Sequence, residues 1–481
     1  MFRSAPGQPG HWVDGRAAAG GPRVSAEERG CPVAGAGGDG ATRAVVGLSA
    51  MSSNPAPGAE PSSVTATVVV RSVPLPVEGG LLSYLPADTP HDELVSWVRR
   101  GDGIVGWGSA LTFESSGPER FRDAEAWWKS VAARAVVRDE VAVPGSGLVC
   151  FGSFPFADDS AESARLVVPS TIVGRREGQS WLTTISLDPQ LPRLETPVVA
   201  REPEPPADVA FADGRVSPAD YAHAVAEAVT RINAGDLDKV VLARDLVATA
   251  SGPIDPRWLL QRLADRYENT WVFSVAGLVG ATPELLVRRD QGLITSRVLA
   301  GTIRRTGDDE HDLALAASLA RSSKDLEEHE YAVRSVADAL APHCSSMNVP
   351  ESPFVLHLPN VMHLATDVAA VSADDATSLT LAASLHPSAA VGGTPTAAAI
   401  ELIAELEHMD RGRYAGPVGW MDARGDGAWG IALRSGAYAP GDPSQITLYA
   451  GCGIVAGSDP ESEVAESSAK LIPMRDALAS D

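Results

Sequence analysis

From residue 63 onward the chain alternates short β-rich runs with amphipathic stretches. The runs 64–73, 103–112, 147–154, 165–173 and 181–187 are rich in β-branched and aromatic residues and bounded by Gly, Pro or Ser, so they predict strands. The spacing of apolar residues over 121–137 predicts a helix carrying Trp127, Trp128 and, on an exposed face, Lys129. Residues 188–216 hold six prolines and few periodic apolar positions and read as a connecting segment. The signals sharpen at Ser217-Pro218, which opens a helix with Asp220 placed to complete a capping box; Tyr221, Val225, Val229 and Ile232 form its apolar stripe and Gly235 ends it. Strands are predicted at 239–244, 271–279, 285–288 and 293–297, helices at 309–320 and 324–341, and a strand near Phe354. A helix over 394–408, strands at 416–422, 429–438 and 445–450, and a helix over 460–479 complete the pattern. Neighbouring strand runs joined by short turns predict an α+β fold with mostly antiparallel sheets.

Residues 1–62 are rich in Gly, Ala, Pro and Ser without apolar period, a composition that buries too little surface to order itself. Met51 lies just before the first strand-like run and is read as the natural start. A GxGxxG match at 35–40 has no strand before it and no helix after it, so a dinucleotide role is not expected. The remaining chain divides into a β-rich N-terminal portion, 63–216, and a region of sharper motifs, 217–475.

Of 481 residues, 39 are Lys or Arg and 62 Asp or Glu, for a net charge of −23. That balance argues against nucleic acid, and no apolar run is long enough for a membrane span. Cys31, Cys150, Cys344 and Cys452 are scattered without a CxxC pair, which predicts neither a zinc site nor a disulfide framework and suits a reducing cytoplasm. No long apolar heptad is present, so a monomer is expected. Only four of the basic residues are Lys: Lys129, Lys239, Lys324 and Lys470. Each is singled out, because Lys, unlike Arg, is able to lose its proton when buried.

Lys239 opens a strand of apolar residues and reads either as an edge lysine reaching for water or as a partly buried base. Glu284, between Thr282-Pro283 and Leu285-Leu286-Val287, is either a turn carboxylate or an acid held between apolar walls with a raised pKa. The acidic start of the helix at Lys324–Glu330 suits the helix dipole, although Glu328 with His329 could also face a metal. Glu463, Glu466 and Lys470 share one helical face, either solvated or a carboxylate pair for a hard cation. The run Gly451-Cys452-Gly453 is a tight turn or a close approach to an anion. His363 and the segment His386–Pro395 are weaker signals on their own.

Taken together and in order, these segments resemble the chorismate-utilising enzymes. The carrying motifs are Lys239-Val-Val-Leu-Ala-Arg244, Ala281-Thr-Pro-Glu-Leu-Leu286, Leu299-Ala-Gly-Thr302 and Lys324-Asp-x-x-Glu-His329. His363-Leu, His386-Pro, Gly451-x-Gly-Ile-Val455 and Glu463-x-x-Glu466-x-x-x-Lys470 complete the set. The resemblance implies orthogonally packed antiparallel sheets flanked by helices, as in aminodeoxychorismate synthase. It implies Mg²⁺ held by Glu328 and Glu466 with Glu463 near its waters. Gly301, Thr302, Arg434, Gly451 and Lys470 would bind the substrate's polar groups, with His363 near its ring. Among family members it favours isochorismate synthase, an isomerase converting chorismate to isochorismate for menaquinone or siderophore synthesis. There Lys239 is the base that activates water and Glu284 the acid for the departing hydroxyl. Ala300 stands where aminodeoxychorismate synthases carry Lys, and Ala390 where salicylate synthases carry Thr. Salicylate synthase and a non-catalytic chorismate-binding protein are the alternatives.

Overall fold

The computed structural model describes residues 67–479. The expectations placed on residues 1–62, including the start at Met51, lie outside the described residues. The described body falls within one compact unit, Glu60–Asp481. Its 21 strands are linked by hydrogen bonds into one network with helices on its flanks, in keeping with the expected antiparallel α+β unit. Pairing is antiparallel throughout except between Val68–Pro74 and Ala135–Asp139.

The strand Lys239–Thr249 pairs with Asp442–Ile454 in an unbroken register from Thr249 opposite Gln445 to Val240 opposite Ile454. Because side chains alternate along a strand, Gly451 and Gly453 face one side and Cys452 the other. The helix Pro218–Ala234 starts where Ser217 accepts the Asp220 amide and ends at Gly235 in a left-handed conformation. It packs on this strand pair, with the Tyr221 hydroxyl donating to the Leu242 carbonyl at 3.2 Å. The last helix, Pro460–Leu478, is capped by Asp459 and fastened by Arg244, whose guanidinium donates to the Ser467 and Ser468 hydroxyls at 2.8 Å each. The helix Ser323–Leu340 begins at Ser322, which accepts the Asp325 amide.

The N-terminal portion is woven into the same network. Leu94–Arg99 pairs with Trp271–Val275, and Val149–Ser153 pairs with Pro417–Asp422. Four local differences from the sequence reading have physical causes. The helix at 121–137 stops at Ala132, and the β-branched Val136 and Val137 continue in Ala135–Asp139 alongside Val68–Pro74. The connecting segment contains a strand, Ala210–Asp213, recruited by the exposed edge of Lys239–Thr249. The run 271–279 is a hairpin, Trp271–Val275 and Leu278–Thr282, turned at Ala276-Gly277. Two unforeseen helices, Pro256–Arg266 and Ser378–Leu385, complete the body. Lys129 is exposed as expected and pairs with Glu125.

Candidate active site

All twelve residues singled out as site candidates border one cavity of about 910 Å³: Lys239, Glu284, Gly301, Thr302, Glu328, His363, Ala390, Arg434, Gly451, Glu463, Glu466 and Lys470.

Lys239, the first residue of its strand, is 2% exposed, which ends the reading of an edge lysine reaching water. Its ammonium pairs with Glu328 Oε1 at 2.8 Å. Burial alone would raise the Glu328 pKa, but the charge and hydrogen bond of Lys239 outweigh it and hold the carboxylate below its usual range. Gly453 makes this pair sterically possible: a Cβ there would lie 2.7 Å from Glu328 Oε1 and 3.0 Å from Lys239 Cε.

Glu284 sits between the strands Leu278–Thr282 and Leu285–Asp290, just before the register shift at Leu285/Val287. It is buried, and desolvation pushes its pKa up to about 8 against the opposing pull of the Leu299 amide, Lys239, Arg434 and Lys470. At neutral pH it is a protonated acid.

His363 and Thr302 face each other across the paired strands Leu293–Arg304 and Val361–Ser372, with Nδ1 3.0 Å from the Thr302 hydroxyl. Burial, then the charges of Arg434 and Lys470, drive the imidazole well below its ordinary pKa, so it is neutral. Its Nε2 lies 3.5 Å from Arg434 Nη2 and accepts from it, leaving the Nδ1 proton for Thr302. His329, considered as a metal-facing group, is turned away: Nδ1–H donates to the Ala300 carbonyl at 3.2 Å, and Nε2 accepts from the Thr366 hydroxyl at 2.7 Å. His386 borders a different cavity, where its Nε2–H donates to the Phe156 carbonyl at 2.9 Å.

On the last helix, Lys470 bridges the Gly451 carbonyl at 3.0 Å and Glu466 Oε1 at 2.7 Å. Glu463 is buried beside Glu466, and its pKa rises to about 7, first by desolvation and then by the neighbouring carboxylate. Ligand atoms of Glu463, Glu466 and the Cys452 sulfur lie within 4.8 Å of one another. Glu328 is not in that group and presents its carboxylate from the helix Ser323–Leu340. Three carboxylates on one cavity, one of them raised toward its protonated form by burial and then by its neighbour, are a donor set that fits a hard divalent cation.

The cavity also exposes residues that the sequence reading left without a role. Tyr414 lines it and stacks on Tyr449 at 5.1 Å. Arg411, paired with Glu407, donates to the Val241 and Val391 carbonyls at 2.6 and 3.0 Å and borders the cavity from below. Asp325 borders it as well. Asp325 and Gly453 lay inside motifs already noted, whereas Arg411 and Tyr414 come from a loop with no local pattern.

The chain belongs to the chorismate-binding enzyme family, whose profile matches residues 82–479. It is 30% identical over 417 residues to the isochorismate synthase MenF of Bacillus subtilis, covering 79% of this chain and 86% of that protein. It is 37% identical over 343 residues to the isochorismate synthase DhbC of the same organism, covering 69% and 80%. The fold matches that of MenF, the menaquinone-specific isochorismate synthase of Escherichia coli, with a TM-score of 0.71 at 24% identity over 88% of this chain and 97% of that one.

Proposed function

We propose that this protein is an isochorismate synthase, an isomerase that moves a hydroxyl function between two carbons of chorismate. The observation that carries this reading is a buried, protonated Glu284 and the buried Lys239–Glu328 pair on one cavity. Water adds at C2 and its proton passes to Lys239, whose ammonium proton moves on to the paired Glu328 in the same step. The ring double bonds shift, the C4–O bond breaks, and the leaving hydroxyl takes the Glu284 proton and departs as water. Reversal returns both protons, so the reaction runs either way. Arg at position 239 could not serve, because it keeps its proton.

Glu328, Glu463 and Glu466 are assigned to Mg²⁺, which when bound supplies positive charge for a substrate carboxylate. Arg434, Lys470, Thr302 and the backbone at Gly301 and Gly451 supply donors for the other polar groups. The neutral His363, held by Thr302 and Arg434, presents a flat face to the ring. Ala390 leaves its part of the wall without a hydroxyl. The enzyme is assigned to the cytoplasm as a monomer.

The test is to incubate the purified protein with chorismate and Mg²⁺ and identify the product. Isochorismate alone is expected. Salicylate with pyruvate would make it a salicylate synthase, and anthranilate on adding ammonia would overturn both readings. Stabilisation by chorismate without turnover would leave a binding protein.

A further inference from the structure

A second cavity, of about 790 Å³, shares no lining residue with the first. Four of the chain's ten tryptophans border it: Trp97, Trp181, Trp271 and Trp420. The pairing of Leu94–Arg99 with Trp271–Val275 explains part of this gathering. Trp97 lies opposite Phe273 and Val98 opposite Val272, so Trp97, Arg99 and Trp271 project from one face of the sheet. The rings of Trp97 and Trp271 stack with centroids 6.3 Å apart, and the Arg99 guanidinium lies 4.2 Å from the centroid of Trp271.

Arg99 is the unusual member. The other arginines bordering this cavity have polar partners: Arg176 and Arg288 both pair with Asp290, and Arg175 donates to the Val77 and Gly79 carbonyls. Arg99 makes no ion pair or hydrogen bond among the described residues, and its Nε is buried without a partner. Trp181 Nε1 is also buried and unbonded. Burial, then repulsion from Arg297 and Arg100, lowers the Arg99 pKa to about 10, which leaves it charged at neutral pH. Arg99 is half-buried, and its Nε is the part left out of water without a partner; an anion that accepted from the Nε and Nη edge would satisfy it. The acids around it are engaged or exposed: Asp367, whose charge acts on Arg99, is held through both oxygens by Arg297, Asp102 accepts the Glu177 amide, and Glu177 is exposed.

We propose that this cavity is a second ligand site, for a planar aromatic monocarboxylate whose ring lies among the tryptophans and whose carboxylate pairs with Arg99. One free guanidinium selects one negative charge, and the indole walls select a flat ring over a saturated one.

The test is a titration of the full chain with benzoate and with indole-3-acetate, followed by tryptophan fluorescence. Saturable quenching is expected, with benzamide and cyclohexanecarboxylate binding at least about tenfold more weakly than benzoate. Arg99→Gln should weaken the carboxylates by at least about tenfold, and Arg99→Lys, which keeps the charge but loses the fork, by a smaller factor. Lys470→Ala, in the other cavity, should leave the affinity within about twofold, since the two sites share no residue. Binding lost in Lys470→Ala but kept in Arg99→Gln would place the probe in the catalytic cavity and overturn the proposal. So would equal binding of benzamide to the unaltered chain, or no saturation below about 10 mM. The benzamide comparison needs no variant, so it stands even if Arg99→Gln fails to fold.

Discussion

Glu284 is stabilised in the form its proposed duty requires. Its folded pKa of about 8 lies above the value an exposed glutamate has. The native state therefore keeps this proton where the unfolded chain has lost it. The stability this contributes is complete below the unfolded pKa and is lost as pH rises through about 8. Turnover should accordingly fall on the alkaline side with an apparent pKa near 8, read from a pH–rate profile. Glu284→Gln should lower kcat by about 10²–10⁴. At pH 9, however, it should melt at a higher temperature than the unaltered protein, because the amide has no charge to bury. Gly453 works by what it lacks. Gly453→Ala should separate Lys239 from Glu328 and cost about 1–3 kcal/mol of stability by overpacking. It should also lower kcat more than it raises KM; a variant with unchanged kcat would separate the pair from the chemistry. At this scale the sequence was legible where a residue lay in a motif, as with Lys239 and Glu284. It was silent where geometry alone matters: nothing near Tyr414 or Arg411 announces that a loop carries them under the cavity.

The last helix shows how an element changes the meaning of a spacing. Glu463, Glu466 and Lys470 share a face by periodicity alone, which is equally the pattern of a solvated stripe. Burial of Glu463 and Lys470 against the strand Asp442–Ile454 decides between the readings. Glu466→Ala should raise the half-saturating Mg²⁺ concentration by at least about tenfold, measured by activity and by calorimetric metal titration. An unchanged titration would remove it from the donor set. A second element-level device is the buried Glu407–Arg411 pair. It closes the helix Thr396–Glu407 onto the strand Lys239–Thr249, with Glu407 accepting the Ala243 amide at 2.7 Å. Glu407→Ala would leave Arg411 as an uncompensated buried charge and should cost about 3–5 kcal/mol in urea unfolding. Most element types were readable from period and caps. The misread ones are informative: the helix at 121–137 was cut short because the parallel partner that draws 135–139 into a strand lies more than sixty residues away. The helix Pro256–Arg266 carries its own start signal, Asp255-Pro256 before Leu259, Leu260 and Leu263.

In the whole molecule the two sequence regions are not separable bodies. Strands from 94–99 and 149–153 find their partners at 271–275 and 417–422. Heat or urea should therefore unfold residues 67–479 in one cooperative transition, by circular dichroism and tryptophan fluorescence alike. Chains limited to 67–216 or 217–479 should each fail to show it, and two resolved transitions in the intact protein would refute this. The antiparallel α+β class was visible in the sequence because each strand advertises itself locally. The interleaving was not, because pairing over hundreds of residues leaves no local trace.

The register of Lys239–Thr249 with Asp442–Ile454 also has a consequence in time. A ribosome adds ~5–20 residues per second, so the strand that begins with Lys239 is made roughly 10–50 s before Lys470. During that interval its apolar residues and its buried lysine have neither the neighbouring strand nor the capping helix. Closure then depends on contacts of very long sequence separation, the kind that slow folding most. The growing chain is thus most vulnerable to aggregation and proteolysis just before its catalytic cavity closes.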